Sequence, residues 1–225
     1  MKILICGKGG SGKSTITTLL TKELAARGNR VLVIDSDESN IGLHSRLGMQ
    51  KPEDLMNYFG GKKVLFEKTR EMKDRWRVDD LPGEYLTGKG DIRLLSMGKI
   101  YQFGEGCACP INALSAKFLE ILDLGDREFL IADTDAGIEH LGRGVERGID
   151  LLLVVIDPSR ESILMSEKIS EMGRQAGKAV YYLLNRIADR ETEELLLDSV
   201  DRDKVIAVVP EIKAVSYTHL RAHET

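Results

Sequence analysis

Short apolar runs punctuate the chain at residues 2–6, 31–34, 93–97, 129–132, 151–156, 179–184 and 205–209. Most are continuously apolar and do not alternate, the pattern of strands covered on both faces, so each predicts a strand of a buried sheet. Between them the period changes to that of a helix. Residues 15–27 place Ile16, Leu19, Leu20 and Leu24 on one stripe, and Gly28 follows where a left-handed cap belongs. Residues 115–124 do the same with Phe118, Leu119 and Leu122, and residues 162–175 with Met165, Ile169 and Met172 ahead of Gly177. Strands and helices in alternation predict an α/β fold with a mostly parallel sheet flanked by helices and joined by right-handed crossovers.

Two stretches break the rhythm. Residues 50–90 hold clustered charges, Trp76, Pro52, Pro82 and several glycines without a clear sheet-type run, and predict an insertion of short helices and loops. Residues 216–225 continue no pattern and read as an unstructured or artefactual tail. His219 and His223 within it are spaced like a helical metal pair, a weaker reading of the same tail. The expectation is therefore one domain over residues 1–215, with 50–90 inserted into it and the tail outside it.

Composition narrows the class. The chain has 225 residues, of which 42% are hydrophobic and 30% charged, with a formal net charge of −4. Such a chain can bury a core without staples. Its charge does not suggest wholesale binding to nucleic acid or to an anionic membrane. The longest apolar run, residues 151–156, is far too short to span a bilayer, and residues 3–6 are too short for the apolar stretch of a secretory signal. A cytoplasmic protein is expected. The cysteines number 3, which argues against a disulfide framework.

The strongest chemical signal is Gly7-Lys8-Gly9-Gly10-Ser11-Gly12-Lys13-Ser14, which fits G-x-x-x-x-G-K-[ST] between a predicted strand and a predicted helix. Glycines let backbone N–H groups wrap phosphates, Lys13 neutralises the β/γ oxygens, and the Ser14 hydroxyl suits Mg²⁺. Thr15 continues the nucleotide-binding set at the start of the helix, whose positive dipole end faces the same anion. Asp35 and Asp37 follow the second predicted strand, and Asp133 ends the run at 129–132. Ligands of open parallel sheets lie beyond the carboxyl ends of the strands, so these carboxylates are expected beside the phosphate loop, where Mg²⁺ and an attacking water are held.

With lysine as its second residue, the loop Lys8-Gly9-Gly10-Ser11-Gly12-Lys13-Ser14 resembles the deviant Walker A motif of the MinD/ParA/nitrogenase-iron-protein class of dimeric P-loop ATPases. The resemblance implies hydrolysis of ATP to ADP and phosphate. It implies that Lys8 crosses a two-fold interface to the phosphates of the other subunit and that Asp37 polarises the hydrolytic water. It assigns Asp35 and Asp133 to the Mg²⁺ shell and gives Asn185 the role of reading adenine. An asparagine at that strand end is equally well a turn former.

Cys107 and Cys109 lie in Phe103-Gly104-Glu105-Gly106-Cys107-Ala108-Cys109-Pro110. A disulfide at i, i+2 would be strained and would cross-link almost nothing. Two thiolates at this spacing suit one borderline metal ion, and two copies on a two-fold axis complete four ligands. Two inert loop cysteines are the other reading. Together with Ala136-Gly137-Ile138-Glu139-His140-Leu141-Gly142-Arg143-Gly144, this segment resembles the CooC-type maturation factors of nickel CO dehydrogenase, over about residues 1–215. That resemblance implies a homodimeric metallochaperone that carries one Ni²⁺ or Zn²⁺ per dimer to a nickel-enzyme client. The chain stops soon after Pro210-Glu211, where members of that branch continue with further helix. Two other classes stay open. One is an iron–sulfur electron-transfer ATPase, for which Ala136-Gly137 offers no second cysteine loop. The other is a positioning ATPase, for which no basic face or C-terminal amphipathic helix is visible.

Overall fold

The computed structural model describes residues 1–39, 42–72, 75–100, 109–135 and 144–212. Its centre is a sheet of strands β1 (Lys2–Cys6), β2 (Arg30–Asp35), β4 (Leu86–Lys89), β5 (Ile92–Ser96), β7 (Glu128–Asp133), β8 (Leu151–Ile156), β9 (Ala179–Ile187) and β10 (Val205–Pro210). They lie in the order β10-β9-β8-β1-β7-β2-β5-β4. All neighbours run parallel except β4, which pairs antiparallel with β5 at the edge.

Helices cover both faces, which is why the central strands read as unbroken apolar runs. On one face, α1 (Lys13–Ala26) packs Ile16 against Ile3, Ile5, Val33 and Val155. On the other, α5 (Cys109–Ile121), α6 (Arg160–Gln175) and α7 (Arg190–Asp198) contribute Phe118, Ile169 and Leu196, each fully buried. Ser159 caps α6 by accepting from the Ser162 N–H, and Asp189 caps α7 by accepting from the Thr192 N–H.

Several local expectations change. Leu19, placed on the buried stripe of α1, is 53% exposed, and Thr17 and Thr21 are buried in its stead. The segment 50–90 carries α2 (Leu43–Leu47) just ahead of it and α3 (Leu55–Tyr58) and α4 (Leu65–Glu71) within it, and it also contains strands. One is β3 (Trp76–Arg77), which pairs with β6 (Leu122–Asp123) beyond the end of α5. The other is β4, a short polar edge strand returned from β5 through Gly90 at φ 58. Leu-Thr-Gly-Lys has too little apolar surface to announce itself, and only its neighbour makes it a strand. Residues 216–225, with His219 and His223, lie outside the described residues.

Candidate functional site

β1 ends at Cys6 and feeds directly into the loop that turns into α1. Gly7 and Gly12 adopt φ 140 and φ 101, a region that side chains rarely enter. A Cβ on Gly7 would strike the carbonyl oxygen of Val155, and one on Gly12 would strike the Asn185 amide nitrogen. The loop therefore needs glycine there for conformation and for space. Gly9 and Gly10 are exposed, Ser11 is buried, and the Ser11 N–H donates to the Lys8 carbonyl at 3.1 Å. Gly12 stands at the N-cap of α1 without side-chain capping, and the first turn holds no acid. The helix end thus keeps its positive end available for a phosphate.

Lys13 is 7% exposed and folds over the loop, its Nζ donating to the carbonyls of Gly7 at 3.3 Å and Lys8 at 3.2 Å. Lys8 points elsewhere. Its Nζ donates to Ser159 Oγ at 3.1 Å and lies 3.5 Å from Asp157 Oδ2 and 3.9 Å from Glu161 Oε2. Ser159 Oγ in turn donates to Asp157 Oδ1 at 2.5 Å. The two lysines of one motif are therefore held by different elements, and the β8–α6 junction that receives Lys8 was invisible in the sequence pattern.

The strand-end carboxylates do converge. Asp35 and Asp133 are register partners on adjacent strands. Asp133 is fully buried; its Oδ1 accepts from Thr17 Oγ1 at 3.0 Å and its Oδ2 has no hydrogen-bond partner. Burial raises the Asp133 pKa, and hydrogen bonds from Ser14 and Thr17 act against the rise. Asp35 is pushed up to about 7, first by burial and further by Asp133 and Asp37, against the pull of Lys99. Lys99 Nζ lies 2.7 Å from Asp35 Oδ1, a buried ion pair. Asp37 is half-buried in the turn after β2, and its Oδ1 accepts from the N–H of Ser39 at 2.9 Å and from its hydroxyl at 2.6 Å. An orphaned, fully buried carboxylate oxygen beside the Ser14 hydroxyl fits a hard divalent cation such as Mg²⁺, whose ligands are oxygens. Thr15 Oγ1 accepts from Arg46 of α2 at 3.1 Å.

Asn185 arrives from the far half of the chain. Its Nδ2 donates to the Ser11 carbonyl at 2.7 Å, and the residue is 7% exposed. It thus braces the phosphate loop, and only its amide oxygen stays on offer for a base N–H. Arg186 beside it holds φ 62, a left-handed conformation that costs a residue with a side chain about 1–2 kcal/mol.

The cysteine segment is less fully placed. Cys109 is half-buried and opens α5, whereas Cys107 lies outside the described residues, as do His140 and most of the segment 136–144. Among the described residues no group of three or more His, Cys, Asp or Glu side chains is arranged to hold a metal ion. Among them, too, no helix is long and apolar enough to cross a membrane.

The model of the CobQ/CobB/MinD/ParA nucleotide binding domain matches residues 2–223. The chain belongs to that family. It is a P-loop ATPase, and its mostly parallel sheet with flanking helices is the architecture expected from the hydrophobic pattern. It is 52% identical over 233 residues to an uncharacterized ATP-binding protein of Methanocaldococcus jannaschii, covering 100% of this chain and 93% of the relative. The carbon monoxide dehydrogenase accessory protein CooC of Rhodospirillum rubrum is 33% identical over 219 residues, covering 93% of this chain and 83% of CooC. Among solved structures, a chain of the MinC:MinD cell division protein complex of Aquifex aeolicus superposes with a TM-score of 0.68 at 22% identity, over 97% of this chain and 85% of that one. That last likeness speaks for the fold alone.

Proposed function

We propose that this ATPase is a homodimeric metallochaperone that carries Ni²⁺ or Zn²⁺ on Cys107 and Cys109 and serves nickel insertion into a client enzyme of the CO dehydrogenase kind. The observation that carries the reading is the 33% identity to CooC over most of both chains, in a sequence with two cysteines one residue apart, the second of which opens α5. Two copies of that pair on a two-fold axis supply the four thiolates that a closed tetrahedral site prefers.

In this reading the nucleotide's phosphates lie on the loop from Gly9 to Ser14, against the N-terminus of α1, with Thr15 at its first turn. Lys13 provides the cation in its own subunit. Lys8 leaves Asp157 and Ser159 to reach the phosphates of the partner subunit. Ser14, Asp35 and Asp133 would hold Mg²⁺, which when bound would supply positive charge against the phosphates. Asp37 orients the attacking water and draws on its proton, and Asn185 offers its amide oxygen to the adenine amino group. Nucleotide state then sets the monomer–dimer balance, and dimerisation makes or breaks the metal site. ATP and metal must therefore alter one another's affinity by the same factor.

The test is an anaerobic titration of the full chain with Ni²⁺ and with Zn²⁺, followed by size-exclusion chromatography with and without ATP. One ion per two chains, appearing with the dimer, supports the reading. One ion per chain on a monomer overturns it.

A further inference from the structure

The chain carries a net charge of −4, yet one cleft away from the phosphate loop is ringed by cations. It lies between the second half of α1, the end of α2 and the turn that joins β4 to β5, and it encloses about 470 Å³, within the range of small-molecule sites. Ala25, Leu47 and Ile92 give it apolar surface, and Lys22, Arg46 and Lys89 surround that surface. Three elements bring the cations together. Lys22 of α1 donates from Nζ to the Arg46 carbonyl at 3.3 Å, at the end of α2. Lys89, the last residue of β4, brings its ammonium to the same end. A Cβ on Gly48, which closes α2 at φ 69, would lie 3.4 Å from Lys89 Nζ. Arg46 reaches along α1 to Thr15, whose Oγ1 accepts from it at 3.1 Å. Among the described residues none of these three cations forms an ion pair. Asp91 also lines the cleft, and its charge acts on Arg30 as well.

We propose that this cleft binds a small organic anion with two negative charges, at a site separate from that of the nucleotide. Two ammonium groups from different elements converge on the carbonyl end of one short helix, and like charges brought together repel unless an anion joins them. An ammonium has three donors, of which Lys22 commits one within the protein. Two lysines and one arginine against one aspartate leave two positive charges, which a dianion matches. The apolar residues beneath suit a carbon body and would gain nothing from a bare inorganic ion. Position separates the cleft from the phosphate loop. Lys22 follows Lys13 by nine residues of one helix, roughly 13 Å along its axis. Ile92 opens β5, whereas the loop lies beyond the carboxyl ends of the strands. The proposal needs neither the metal nor the client of the preceding reading, so each stands or falls without the other.

The test is calorimetric titration of the full chain, saturated with ADP and Mg²⁺ so that the phosphate loop is filled. The probes are benzene-1,3-dicarboxylate and phenyl phosphate as dianions, with neutral benzene-1,3-dicarboxamide as the control. Saturable binding of either dianion supports the proposal, and the tighter of the two identifies carboxylate or phosphate as the favoured head group. The diamide should bind weaker by about tenfold or more, since it lacks the charge that the cleft complements. Lys22→Gln and Lys89→Gln should each weaken the dianion about threefold and together about tenfold, the scale of exposed charge pairs. Added salt should weaken it too. Neither lysine belongs to the nucleotide machinery, so ADP affinity should change by less than about twofold in both variants, which also reports an intact fold. Wild-type protein supplies a measurement that needs no variant: on addition of the dianion, amide chemical shifts should move at residues 22–25, 45–48 and 89–92. Absence of saturable binding, equal binding of the diamide or unchanged affinity in the folded double variant overturns the proposal. So do shifts confined to residues 9–15, which place the anion on the phosphate loop.

Discussion

The ammonium of Lys8 lies 3.5 Å from the carboxylate of Asp157 in the same chain, and Ser159, which caps α6, receives its hydrogen bond. The lysine proposed to act across a dimer interface thus has a ready partner at home. Breaking a half-buried, hydrogen-bonded pair is a modest barrier compared with what a phosphate anion returns, so the arrangement suits a residue that exchanges partners.

Lys8→Ala is expected to bind nucleotide while losing hydrolysis by about 10³–10⁵, the range of arginine-finger contributions. Lys13→Ala should lose nucleotide binding itself, because its ammonium sits over the loop. Equilibrium binding of a fluorescent ADP derivative and steady-state phosphate release separate the two. Full turnover by Lys8→Ala would remove the trans mechanism.

Asn185→Ala removes the donor to the buried Ser11 carbonyl and should destabilise the protein by about 1–3 kcal/mol, the penalty of an unsatisfied buried group. With the amide oxygen in its proposed role toward the base, the substitution should also weaken ATP more than inorganic phosphate. Thermal melts with and without ATP check both parts. Unchanged stability would show that the loop does not depend on this brace.

Cys6 lies beneath the phosphate loop, and burial pushes its thiol from 9.0 up to about 12, with nearby Lys13 acting in the opposite direction. The folded state therefore keeps a proton that the unfolded state releases from about pH 9 upward. The thiol's contribution to stability is complete below pH 9 and is lost as the pH climbs toward 12, by on the order of 4 kcal/mol at most. Alkaline unfolding should be steeper in the wild type than in Cys6→Ala. Iodoacetamide at pH 8 should leave Cys6 unmodified until denaturant is added.

For Cys107 and Cys109, either serine substitution deletes two ligands from a two-fold site, so each alone should abolish tight metal binding. The thiolate is the ligand, so metal binding must displace thiol protons and affinity should fall as the pH is lowered. Metal competition with a chromogenic chelator at several pH values reads this directly. Retention of full affinity by either variant would mean a local site completed by other groups.

The chemistry of the phosphate loop was legible because it is contiguous: Gly7 to Ser14 carry their function in backbone conformation, and each residue's neighbours are its sequence neighbours. The parallel strands were legible for a related reason, since burial on both faces leaves an unbroken apolar run. Strand β4 was not, because Leu-Thr-Gly-Lys becomes a strand only when β5 lies beside it.

The bracing of the site belongs to the tertiary structure. Asn185 meets Ser11 across a sequence separation of 174 residues, Lys8 meets Ser159 across 151, and Lys99 meets Asp37 across 62. No periodicity announces such pairs. A lysine in a polar gap after a strand has the pattern of a surface residue, and only the sheet order shows otherwise. That order sets β1 between β7 and β8 and β2 between β7 and β5, so residues from both halves of the chain end at one edge. The sequence by itself determined which groups could bind a nucleotide. The crossovers of a parallel sheet decided which of them hold one another in place, because hydrogen bonds and ion pairs depend on distance in space and not along the chain.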